Sequence, residues 1–164
     1  MKKFLFLLVI TVLSFCLTGC GNSKKQDELI EYSNNITKYN LERTEDDFNK
    51  SYKSVTGENY VDDITTYTEL SEKTVILARQ LSDTALELSK QITDEEIMEV
   101  HRIYINYASK QLNAITLMIS AIENQDYALV SDANERLNEA NNYALDYKRE
   151  ISKLVEKYDL ELID

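Results

Sequence analysis

The residues with chemistry to offer are few, and their spacing excludes more reactions than it supports. His101 is the single histidine of the chain. Three positions before it stands Met98, so the Glu-x-x-His pairs required by carboxylate-bridged di-iron bundles are missing. Haem attachment through Cys-x-x-Cys-His is missing too. A serine hydrolase needs a base oriented by a carboxylate beside its nucleophile, and nothing around His101 in sequence sets out that constellation. His101 lies one residue from Val100, a member of an apolar stripe, which predicts a boundary or surface histidine rather than a proton-transfer group.

Carboxylates are abundant, with 29 Asp plus Glu, but abundance is not a site. Glu45-Asp46-Asp47 and Asp94-Glu95-Glu96 both lack the alternating ligand spacing and central glycine of a calcium loop. The first reads as a solvated helix face and the second as the start of a helix. A glycosidase-type carboxylate pair cannot be chosen from so many acids without a cleft. No catalytic residue, metal ligand or cofactor-binding residue is therefore assigned, and the expectation is a protein that is not an enzyme and takes no cofactor.

Tyrosine is the unusual ingredient. There are eleven, and no tryptophan. Tyr39, Tyr67, Tyr104, Tyr107 and Tyr147 fall on or beside apolar stripes, where the ring packs and the hydroxyl reaches the rim. Tyr60, Tyr127 and Tyr143 fall at positions expected to be exposed, and are the candidate partner contacts, because tyrosine combines apolar area with a hydrogen-bonding tip.

The elements that must position these residues are long helices. The chain has no proline and only three glycines, too few turn residues for a sandwich or barrel. A first helix is predicted over about 27–55, with Leu29, Tyr32, Ile36 and Tyr39 on one face and Leu41, Phe48, Tyr52 and Val55 on another, displaced in phase. Its stripe is the weakest, so it is the one expected to bend or end early. Gly57 then suits a left-handed turn. The second helix, about 60–91, carries Ile64, Tyr67, Ser71, Thr74, Ala78, Leu81, Ala85 and Leu88 at spacings of three and four. Thr93 with Glu96 fits a capping box for a third helix over 94–123. Asp126 can cap a fourth, 127 to about 158, whose seam runs Val130, Ala133, Leu137, Ala140, Ala144, Tyr147, Ile151, Leu154 and Tyr158.

Helices of about 30 residues are near 45 Å long, and short connections make neighbours antiparallel. The expected fold is all-α, an antiparallel up-down-up-down four-helix bundle. The alternative is a three-helix bundle with a peripheral first helix.

The N-terminal stretch decides where such a domain works. Lys2 and Lys3 precede an apolar run of about 14 residues from Phe4 to Leu17, short of the roughly 20 that a spanning helix needs. The run ends on Leu17-Thr18-Gly19-Cys20, which resembles the lipobox of bacterial lipoproteins. That resemblance implies a signal peptide over residues 1–19, diacylglyceryl transfer to the Cys20 thiol and cleavage before Cys20. Two acyl chains give stable membrane residence where one gives only marginal binding. Residues 20–26 are expected to be the lipidated cysteine and a short tether, and 27–164 a single helical domain. The expected localisation is the cell membrane, lipid-anchored, with the domain on the extracytoplasmic side. With Cys16 removed and Cys20 lipidated, the mature chain has no thiol for a disulfide, a thiolate nucleophile or a zinc-cysteine site.

Losing Lys2 and Lys3 with the signal takes the formal net charge from −11 to −13. Such acidity argues against a nucleic-acid partner, whose binding rests on basic groups. The expected partners are the bilayer, through Cys20, and a cell-envelope or extracellular protein. The expected function is a membrane-tethered helical interaction or scaffold module. A domain that senses a small molecule or a cation is the alternative, with an enzyme less favoured.

Overall fold

The computed structural model describes the backbone of residues 9–11 and 22–163 and the side chains of residues 23–160. Cys20, and the expected signal peptide apart from residues 9–11, lie outside the described residues. The fold is an all-α helical bundle. A two-stranded antiparallel ladder accompanies it, β1 (Val9–Thr11) on β2 (Glu161–Ile163), with Val9 opposite Ile163.

The expected first helix is two helices, α1 (Asn22–Lys38) and α2 (Leu41–Ser54). Between them Asn40 adopts a left-handed conformation, φ 54°. Asparagine is one of the few non-glycine residues that tolerate it, because its short amide can hydrogen-bond locally. The break reconciles the two faces: it re-aims the chain so that Leu29, Tyr32 and Ile36 before it and Leu41 and Phe48 after it are all buried. α1 also begins earlier than expected. Residues 22–26, expected as tether, are helical, and Lys25 pairs with Asp94 while the Gln26 amide donates to the Tyr158 carbonyl at 2.7 Å.

The second helical run comprises α3 (Asp63–Glu69), a π-helical turn over Leu70–Thr74 and α4 (Val75–Ser89). The π turn inserts one extra residue and shifts the phase of everything before it. Thr66, Leu70, Thr74 and Ala78 are therefore buried, at intervals of four, and Ile64, expected in the seam, faces solvent. Ser51 stabilises the π turn from α2, donating to Glu69 Oε1 at 2.6 Å and lying 2.7 Å from Thr74 Oγ1.

α5 (Glu95–Asn124) and α6 (Tyr127–Lys157) follow the expected spans closely. The N-cap of α5 is Asp94 rather than Thr93: its carboxylate accepts from the backbone N–H of Glu96 and Ile97. Asp is as good a cap as Thr or better, and here it also holds Lys25, so the box starting at Thr93 is not used. Asp126 caps α6 through the Ala128 N–H, and Gln125, with φ 52°, turns the chain.

Contacts along the helices run in opposite chain directions. On α5 and α6, Glu96 meets Lys157, Tyr104 packs on Tyr147 and Lys110 meets Glu139. On α4 and α5, Ala85 meets His101, and Tyr67 of α3 reaches Glu123. Two apolar clusters result. The larger gathers Leu29, Tyr32, Leu81, Leu88, Ile97, Tyr104, Tyr147 and Ile151, and the smaller Phe48, Val55, Leu70, Ala78 and Ile115. Each fully buried Leu or Ile contributes about 1.5–3 kcal/mol of transfer free energy.

Candidate functional site

Two arrangements of polar and aromatic side chains stand out, one inside the bundle and one at its end. The inner one starts at His101, which is fully buried, contrary to its expected boundary position. Its Nε2 donates to the Ala85 carbonyl at 2.8 Å, which leaves Nδ1 to accept from the Tyr32 hydroxyl at 3.1 Å. The Tyr32 oxygen is then free to accept from Tyr147 at 3.0 Å. This neutral tautomer satisfies both ring nitrogens.

The arrangement continues along α5. Tyr104 stacks on His101 and tilts against Tyr147, with centroids 6.1 Å and 5.1 Å away. Glu45, expected on a solvated face, instead turns inward. It accepts from Tyr107 at 2.6 Å and from Tyr104 at 3.4 Å. Gln111 donates to the Tyr107 oxygen at 2.8 Å, and its own Oε1 is buried without a hydrogen-bond partner among the described residues.

Burial sets the electrostatics. It pushes the phenols of Tyr32, Tyr104, Tyr107 and Tyr147 up, and all four are neutral donors at physiological pH. It also lifts the Glu45 carboxyl above its usual range, against the pull of the Tyr107 and Tyr104 hydroxyls. It lowers His101, opposed by the Ala85 hydrogen bond. The result is a buried polar layer that ties α1, α2, α5 and α6 together in one register.

The outer arrangement lies at the end where α2 passes into α3 and α5 into α6, far from Asn22. Tyr60 is 53% exposed, Val61 72%, Ile64 80% and Tyr127 87%. Tyr60 and Tyr127 come from connections about 65 residues apart, which the Tyr67–Glu123 hydrogen bond holds at the same end of the bundle. Tyr60 donates to Asp63 at 2.9 Å and Tyr67 to Glu123 at 2.8 Å, so both phenols are held by carboxylates. Gly57, with φ 62°, and the Thr66 hydroxyl on the Val55 carbonyl shape the connection that presents Tyr60 and Val61. The other exposed large apolar side chains among the described residues, Ile76, Leu86 and Leu145, are dispersed along α4 and α6. Isolated exposure of that kind needs no explanation, whereas a cluster does.

Of the three candidate contacts, Tyr60 and Tyr127 are brought together at this end, and Tyr143 is not. Tyr143 is half-buried against the larger cluster on α6. Val61 and Ile64 were missed, Ile64 because the seam spacing assigned it to the core.

At the opposite end, a cleft between α1 and the α4–α5 connection is lined by Glu28, Tyr32, Asn35, Gln91 and Asp94. It has room for about one water molecule, far less than an organic ligand requires. Among the described residues no three His, Cys, Asp or Glu side chains converge as a metal site, and no helix is long and apolar enough to cross a membrane.

The chain matches no known family, no characterised protein and no solved structure.

Proposed function

We propose that the protein is a lipid-tethered, extracytoplasmic docking module, anchored through Cys20 and binding a cell-envelope or extracellular protein without carrying out chemistry. In this reading the bundle is an up-down-up-down four-helix bundle. α1 with α2 forms the first rod, α3 through α4 the second, and α5 and α6 the third and fourth. The observation that carries the reading is the exposed group Tyr60, Val61, Ile64 and Tyr127. With α5 about 45 Å long, this group stands at the far end of the bundle from Asn22, two residues beyond the proposed anchor. A module leashed at one end and apolar at the other holds its contact surface away from the lipid.

The buried Tyr and His layer supports the same reading, because it stiffens the rod that separates anchor from contact surface. Two measurements test it. Radiolabelled palmitate should enter the wild type and not Cys20→Ala. Crosslinking from native membranes should recover the same protein with the lipidated chain and with a secreted Gly21–Asp164 form, and the yield should fall with Tyr127→Ser. Loss of neither label nor partner in these variants overturns the proposal.

A further inference from the structure

The far end of the bundle is not only apolar but predominantly acidic, with Lys53, in the last turn of α2, at its border. Glu58, Asp62, Asp63, Glu123 and Asp126 surround the exposed Tyr60, Val61, Ile64 and Tyr127. No Lys or Arg occurs between Lys53 and Lys73, or between Lys110 and Arg136, the two stretches that build this end. The carboxylates are held by neutral donors: Asp62 by the Thr65 N–H, Asp63 by the Tyr60 hydroxyl, Glu123 by the Tyr67 hydroxyl and Asp126 by the Ala128 N–H. None of the five forms an ion pair among the described residues, while the opposite end is stitched by Lys25 to Asp94 and Lys157 to Glu96. Lys25 and Lys157 neutralise carboxylates where the bundle starts, whereas these five carboxylates have no cation paired to them among the described residues.

We infer that the segment docked on this end is a cationic, amphipathic stretch of a protein, its Lys or Arg residues facing the carboxylate rim and its apolar residues covering Ile64, Val61 and the two tyrosine rings. This rests on the reading above that this end docks a protein. Charge complementarity selects the occupant. A second copy of this chain would bring its own five carboxylates against these, and like-charge juxtaposition opposes it. An anionic bilayer or nucleic acid meets the same repulsion. A cation alone would leave the apolar side chains uncovered, and a neutral apolar segment would desolvate the rim without compensation. A guanidinium or ammonium satisfies both parts, pairing with carboxylates and lying over the Tyr60 and Tyr127 faces.

The test uses the full lipidated chain in native membranes, with the photoreactive residue benzoylphenylalanine replacing Ile64 or Tyr127, and in a third form Leu145, which is exposed on α6. The crosslinked contact peptide is sequenced by mass spectrometry. The expected result is a protein segment in which Lys or Arg alternates with apolar residues, captured from positions 64 and 127. Its yield should fall about fivefold or more when salt is raised from 50 to 500 mM, as screening shortens the reach of the rim. It should fall about tenfold in the combined variant Glu58→Gln, Asp62→Asn, Asp63→Asn, Glu123→Gln and Asp126→Asn. Asparagine caps helices as well as aspartate, so the α3 and α6 starts survive, and an unchanged thermal melt verifies this. A neutral or acidic contact segment, or a yield indifferent to salt and to the five substitutions, overturns the cationic inference and leaves the docking reading standing. Adducts to lipid, to a second copy, only from position 145, or none at all while a control bait crosslinks, overturn both.

Discussion

Tyr32 on α1 and His101 on α5 are 69 residues apart in sequence, and meet in the core with 3.1 Å between the phenol oxygen and Nδ1. Their rings stand edge to face at 5.6 Å. This contact joins α1 to α5, and its donor and acceptor roles are fixed because the Ala85 carbonyl accepts the hydrogen bond of the other ring nitrogen.

Tyr32→Phe removes the hydroxyl that serves His101 and Tyr147 together. The expected loss is about 1–3 kcal/mol in denaturant unfolding, the cost of leaving buried polar atoms unpaired. A double-mutant cycle with Tyr147→Phe should show non-additivity, since both substitutions break one bond. Additive losses would mean that the two hydroxyls act separately.

Acid should destabilise the bundle through His101. Its folded pKa lies below the ordinary 6.5, so the unfolded chain binds more protons in the interval beneath that value. Stability is then fully present above pH 6.5 and declines as pH falls through the interval. His101→Gln, which keeps a donor for Ala85, should flatten the profile below pH 6.5 in a urea-midpoint series.

Glu45 works in the opposite sense. Its folded pKa is raised above 4.5, so the native state binds more protons over the interval upward from that value. Its contribution is most favourable at low pH and declines as pH rises through the folded pKa. Glu45→Gln keeps an acceptor for Tyr107 and should shift the urea midpoint upward most at neutral pH and least near pH 4.5. A constant shift at all pH values would rule out this linkage.

Asn40 should tolerate glycine and resist branching. Asn40→Gly is expected to change stability by a few tenths of a kcal/mol, whereas Asn40→Val should cost about 1–2 kcal/mol, because a β-branched residue is strained at positive φ. Equal melting temperatures for the two variants would place the strain elsewhere.

The caps of α5 offer a sharp contrast. Asp94→Ala removes the acceptor for two backbone N–H groups and the partner of Lys25, and should cost about 0.5–2 kcal/mol. Thr93→Ala should fall within about 0.5 kcal/mol, as for an ordinary surface change. Thermal melts of the two variants distinguish the caps directly.

Much of the helical layout was legible in advance, because apolar spacing reports which face of a helix is dry. On α6 the expected seam residues Ala133, Ala140, Tyr147, Ile151, Leu154 and Tyr158 are buried and Val130, Leu137 and Ala144 partly so, and Asp126 caps where a cap was expected. Period alone could not show where a helix changes phase. The π turn at Leu70–Thr74 depends on Ser51 arriving from α2, and it moved Ile64 from the expected seam to the surface.

What the residues determined by themselves is the all-α class and the exposure of Tyr60 and Tyr127, since local pattern and composition govern these. Tertiary structure decided the rest. His101 and Glu45 are polar residues beside apolar stripes, and such residues face inward only when partners from other helices complete their hydrogen bonds. Those partners, Tyr32 and Ala85 for one and Tyr104 and Tyr107 for the other, are tens of residues away and become neighbours only on folding. The acidic, apolar end of the bundle arises in the same way, from two connections that each look like an ordinary polar turn and become one surface where the helices bring them side by side.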